Sequence, residues 1–327
     1  MGATGETARR PYLACGEVRT CLLPCRDAVS AAVCERLLRL RADERISTSK
    51  RPNLYVVSPE VLTGVDCRLP TANRAKVRVV GTVAARASLT EGRVLQASAY
   101  FSAPAAGPDR RRPWGWYLVR PGVLVPVGRL PATAAAHGFL AYDQTPGGDE
   151  LDVGSVAESL LDRISRSRLL VDYDVPLTSR TTGLRWAALP AAAGAGVSLE
   201  RFTVTEGGVR LVELRVPDDV EPAAVARLAE DFAVHDWLLT TVVDKLDGIR
   251  IGSADGAAAL KVLGPLVDHL LHLWMPRARV DRRLVALWDV LEDDPGFSRQ
   301  WHTQVQRVRD QLALRAASAQ RESLMAP

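Results

Sequence analysis

Lysine is nearly missing from this chain. Only Lys50, Lys76, Lys245 and Lys261 are lysines, and arginine supplies the other 38 of the 42 basic residues. Together with abundant alanine this reads as high-GC codon usage, so the arginine content by itself does not indicate nucleic-acid binding. The five cysteines, an odd number in a chain without an export signal, exclude a disulfide framework. No apolar run approaches the ~18 residues of a membrane-spanning helix. The start MGATGETARRPYLACGEV has no apolar h-region, and Glu6 stands where a myristoylation signal needs Ser or Thr. The expectation is a cytoplasmic protein with no membrane contact. Catalytic signatures are also missing: there is no GxxxxGK[ST], no GxSxG and no HExxH. Gly194 and Gly196 begin a dinucleotide fingerprint, but Leu199 replaces its third glycine and no strand precedes it. No cofactor is expected, and the balance leans away from an enzyme.

The 327 residues are 47% hydrophobic and 24% charged, the composition of a globular protein of one large domain or two smaller ones. The net charge of +4 conceals an asymmetry: residues 1–130 carry 21 basic and 10 acidic side chains, residues 131–327 carry 21 and 28. Either the halves neutralise each other, or the first half offers a positive surface to phosphates or an acidic partner.

Patterning predicts an α+β protein: a mixed or antiparallel, β-rich N-terminal two thirds with a few helices, then a C-terminal four-helix region. Residues 1–10 read as a mobile tail, 11–216 as an α+β domain with a subdivision allowed near 130–150, and 217–327 as a helical domain. Strands are expected over Tyr12 to Leu23 and Asn53 to Val57, with a helix from Ala28 to about Arg41. Hairpins are expected for Lys76 to Ala85 with Arg93 to Phe101, Trp114 to Val119 with Val123 to Val127, and Arg201 to Thr205 with Val209 to Val216. Leu184 to Ala188 reads as a further strand. Helices are expected over Val153 to Leu170, Pro222 to Leu246, Ala257 to Met275, Val280 to Glu292 and Phe297 to Ala319.

Four groups of residues carry chemistry. Cys15, Cys21, Cys25 and Cys34 contain one zinc-like spacing, Cys21-x3-Cys25, but they sit among Leu and Val in regular elements, where cysteine behaves as a small buried hydrophobe. His269 and His272 are neighbours at i and i+3 beside Asp268, and His235-Asp236 resembles the metal-binding pair of HD-type phosphohydrolases. Against this, His235 lies in register with Leu228, Phe232 and Val242, the position of a core histidine, so no metal site is assigned. Arg110, Arg111, Arg112, Trp114 and Trp116 combine phosphate-neutralising guanidiniums with stackable rings, a logic suited to single-stranded nucleic acid or a nucleotide. The competing reading is a solvated loop entering an edge strand. Trp301, Val305, Val308 and Leu312 form a narrow apolar seam on the last helix, fit for its own bundle or for a partner protein.

The segments CGEVRTCLL, RPNLYVVSPEVLTGVDCRLP, GRVLQASAY, HDWLLTT, DHLLHLWMP and PGFSRQW together resemble an actinobacterial family known mainly from streptomycetes and named only after a locus tag. The resemblance runs from about Cys15 to Leu314. It implies a place in a multi-protein cassette beside a variant P-loop ATPase and a methyltransferase-like protein, and it assigns no activity. The expectation is therefore a non-catalytic interaction subunit that binds proteins of the same cassette through its helical third. An HD-like metal-dependent phosphoester hydrolase using His235, Asp236, Asp268, His269 and His272, and a nucleic-acid binder using the Arg/Trp loop, are the alternatives.

Overall fold

A computed structural model describes residues 13–73, 75–141, 147–170, 175, 177–248 and 256–325. The expected tail, 1–10, lies outside the described residues. The chain is α+β, built on one mixed sheet of ten strands. At its centre is β1 (Leu13–Leu22), whose Ala14, Val18 and Thr20 point to one face and Cys15, Glu17 and Cys21 to the other. Both faces are covered, so almost every residue of β1 is buried.

On one side β1 pairs antiparallel with β6 (Val94–Ala103), and β6 with the long β5 (Lys76–Thr90). The β5–β6 turn places Glu91 and Gly92 both at positive φ, as a tight hairpin turn requires. A side chain at position 92 would collide with the Val29 carbonyl, 2.1 Å from the position of a Cβ, so only glycine fits there. The far edge of β5 is shared by β3 (Tyr55–Val57) and β4 (Val61–Pro70), β2 (Ser47–Ser49) closes that end on β3, and β7 (Leu124–Pro126) pairs with Val79–Gly81 on the edge that β6 leaves free. On the other side β1 meets β8 (Thr182–Pro190). The chain then passes to the outer edge as β9 (Ser198–Val204) and returns as β10 (Arg210–Val216), parallel to β8.

Helices α1 (Ala31–Leu37), α3 (Ala132–Leu140) and α4 (Val153–Ser165) cover one face of the sheet. The other face carries the short α2 (Trp114–Leu118) and α5 (Pro222–Asp247), which crosses β1, β6 and β8. Helices α6 (Gly256–His269), α7 (Val285–Asp293) and α8 (Phe297–Met325) pack around α5. Eighteen of the 26 residues of α5 are buried, because one flank faces the sheet and the other faces α6 and α8. No helix among the described residues is long and apolar enough to cross a membrane.

One expectation needs correction, and two features of the fold lie beyond what patterning indicated. Across residue 217 the apolar core is shared: Val18, Trp186 and Val212 of the sheet form one cluster with Val225 and Phe232 of α5 and with Trp288 of α7. Trp114 to Val119 is not a strand. It forms α2, which buries Tyr117 against Val80 and Val125, while the Tyr117 hydroxyl accepts from the Arg112 amide at 2.9 Å. Finally, β4 and α3 carry no expectation from patterning. Strand β4 alternates only over Val65–Leu69, with Asp66 and Arg68 exposed and Val65, Cys67 and Leu69 turned to the core, and it pairs with β5 along ten residues.

Candidate functional site

Helix α2 and the first turn of α5 sit on the same face of the sheet, and between them lies a cavity of about 760 Å³. Its floor is Ala84, Tyr100 and Ser102 of β5 and β6. The α2 wall presents Arg112, Trp116, Val119 and Arg120, and the opposite wall is Glu221, Pro222 and Ala223 at the start of α5. The Tyr100 hydroxyl donates to the Glu60 carboxylate, and burial followed by that carboxylate pushes the phenol pKa well up, so the phenol stays a protonated donor. The Arg120 guanidinium lies 4.0 Å over the Trp116 ring and donates to the Trp116 carbonyl at 2.7 Å. This cavity has the size and the mainly apolar lining with few polar groups that small-ligand and peptide sites share.

The Arg/Trp segment thus forms part of a built site, though not as an edge strand. Arg111 is spent on Asp66, at 2.8 Å, and lies 5.2 Å over Trp114. Arg78 and then Arg111 hold the Asp66 pKa down. Arg110 and Arg112 remain exposed, and the Arg112 guanidinium meets no acceptor among the described residues. Three basic side chains of the first half find carboxylates of the second across the fold: Arg68 pairs with Asp149, Lys76 with Glu150 at 2.8 Å, and Arg86 with Glu230. These pairs offset part of the asymmetry along the chain.

The His/Asp group does not assemble. His235 is 1% exposed and both ring nitrogens are engaged: Nδ1 donates to the Asp231 carbonyl at 2.7 Å and Nε2 accepts from the Met275 amide at 3.1 Å. Asp236 is locked to Arg210 at 2.5 Å. Asp268 and His272 are exposed on the segment after α5, and no cluster of three His, Cys, Asp or Glu side chains among the described residues could hold a metal ion. His269 is half-buried, with its pKa lowered by burial. His235, the residue the hydrolase reading depends on most, has both nitrogens in hydrogen bonds to the main chain.

Those contacts fix the pH behaviour of His235. Burial holds its pKa below the 6.5 of a free imidazole, although the nearby Asp231 carboxylate opposes the shift. The folded protein therefore keeps it neutral where the unfolded chain would protonate. Its contribution is complete above pH 6.5 and is lost as the pH falls below that value. The wild-type Tm is expected to fall more steeply than that of His235→Gln between pH 6.5 and about 5. Parallel melting profiles would show that the imidazole is not held neutral.

The seam of the last helix is also taken up inside the chain. Trp301 and Val308 are 4% and 0% exposed, and the Trp301 ring stacks on Trp274 at 4.5 Å with an interplanar angle of 7°. Val305 and Leu312 pack half-buried on the same cluster, between α5 and α6. Trp301 and Val308 are thus spent within the bundle, while Val305 and Leu312 keep part of their surface in solvent.

The cysteines pack as small hydrophobes. Cys15, Cys21, Cys25 and Cys34 are buried in the core between the sheet and α1, α3 and α4, and burial pushes the Cys21 thiol up to about 12 and Cys34 up to about 11. Cys67, on β4, is half-buried and raised to about 11 for the same reason.

Patterning missed the polar layer between sheet and α5. Arg86 reaches both Glu230 oxygens at 2.8 Å, Ser98 donates to the same carboxylate, and Gln96 donates to the Glu230 carbonyl at 2.9 Å and to Thr20 at 3.1 Å. A signal existed in Glu230-Asp231 within an apolar helical stripe, and in Arg86 inside a β run. No known family, curated protein sequence or solved structure matches this chain.

Proposed function

We propose that the chain is a non-catalytic, cytoplasmic binding subunit of a multi-protein system, and that it meets a partner protein through the surface built on α2. One observation carries the reading: within six residues Trp114, Leu118 and Val119 are 37%, 56% and 72% exposed, the exposed Arg110 and Arg112 precede them in the chain, and Arg112 and Val119 line the cavity. Contiguous exposed apolar groups flanked by tryptophan and arginine are the composition of protein-binding hot spots. Free guanidiniums at that rim suit an acidic patch on the partner. The family resemblance directs the choice of partner to the proteins encoded alongside, including the variant P-loop ATPase and the methyltransferase-like protein.

The test is co-expression of the full chain with each of those proteins, followed by size-exclusion chromatography. A stable complex with at least one is expected, weakened roughly tenfold or more by Arg110→Glu with Leu118→Asp, whose exposed positions leave the Tm of the free chain unchanged. A complex indifferent to that double substitution, or elution of the chain alone in every pairing, would overturn the proposal.

A further inference from the structure

We infer that the cavity between α2 and α5 is a groove for an extended peptide segment of the partner, carrying an acidic side chain at the α2 wall and a basic group at the α5 wall. The inference rests on the proposed function and specifies what enters the site. The floor is a sheet surface bounded by two separate helices, so the space is an open trough and not a closed pore. Its volume of about 760 Å³ accommodates a short run of residues, beyond what one side chain would fill.

The polar groups are divided between the walls. Arg112 stands on the α2 side with no acceptor among the described residues, next to the Arg120–Trp116 stack. Across the trough, Glu221 lies exposed at the start of α5 and makes no side-chain cap to its own helix. Glu60 is the second carboxylate, with one oxygen taken by Tyr100. Between the poles lies the floor with Ala84, and each wall adds an apolar side chain, Val119 on the α2 side and Pro222 on the α5 side. Cation on one wall, anion on the other and small apolar groups between them complement a segment with opposite charges at its ends and small or apolar residues in the middle. A polyanion such as single-stranded nucleic acid would gain at Arg112 and be repelled at Glu221 and Glu60, which disfavours it.

The experiment uses the full chain and a set of overlapping twelve-residue peptides spanning the proteins encoded beside it, read by fluorescence anisotropy. An acidic–apolar–basic peptide is expected to bind with 1:1 stoichiometry. Ala223→Trp, which fills the trough from the α5 wall, is expected to weaken binding at least tenfold. Arg112→Glu is expected to do the same, and to be rescued when the peptide's acidic residue is replaced by lysine. Rescue distinguishes a charge contact from misfolding, and equal Tm values for the variants provide the second control. Binding untouched by both substitutions would overturn the inference, as would a single-stranded oligonucleotide competing better than any peptide. The two proposals separate cleanly. A partner complex that survives Ala223→Trp but not Arg110→Glu with Leu118→Asp leaves the α2 surface standing and removes the groove. The converse pattern keeps the groove and removes the outer surface.

Discussion

Glu230→Ala is expected to destabilise the protein by about 3–5 kcal/mol. The side chains of Arg86 and Glu230 are 9% and 5% exposed, and their forked contact at 2.8 Å joins β5 to α5 in the middle of the sandwich. Removing the carboxylate leaves a guanidinium buried without a counter-charge, and it also strips Ser98 of its acceptor. The cost comes mainly from the orphaned charge. Glu230→Gln, which keeps the shape and one acceptor, should lose less. Replacing both partners, Arg86→Met with Glu230→Leu, should return close to wild type, because the desolvation penalty then disappears together with the attraction. Chemical denaturation of the four proteins checks this ordering. A loss below about 1 kcal/mol for Glu230→Ala would mean that water reaches the pair, since exposed ion pairs contribute only that much.

Trp301→Ala is expected to cost a further large amount, about 3–5 kcal/mol, in the isolated chain. The ring is 4% exposed and stacked on Trp274, in the cluster that joins α5, α6 and α8. Truncation opens a hole that neighbouring helices cannot close without breaking the Trp274 contact with His235, whose rings stand 5.0 Å apart. Trp301→Phe should retain part of the stability by keeping an aromatic surface there. This measurement also separates the two uses of an apolar seam. A partner-docking residue would lower affinity and leave the free protein's Tm alone. An unchanged Tm accompanied by loss of a partner would restore the seam as a docking surface.

The sequence by itself determined the fold class, most strands and nearly all helices of the C-terminal third. Those elements owe their form to local periodicity: alternation in β1 and β6, proline at the first position of α5, and helical spacing of Trp301, Val305, Val308 and Leu312. It also singled out the Arg/Trp segment that walls the cavity. It did not determine where apolar stripes would be covered. An apolar face states only that something must lie on it, and the tertiary structure decided that α8 covers its own bundle while α2 is left with Leu118 and Val119 in solvent. Nor could spacing along the chain place Arg86 against Glu230 or give both nitrogens of His235 to main-chain groups of α5 and of the turn after α6. A polar residue in an apolar stripe reads the same from sequence whether it binds a metal, a substrate or another buried charge. Its meaning is set by which group the fold brings within hydrogen-bonding distance, and that distance is a property of the packed layers alone.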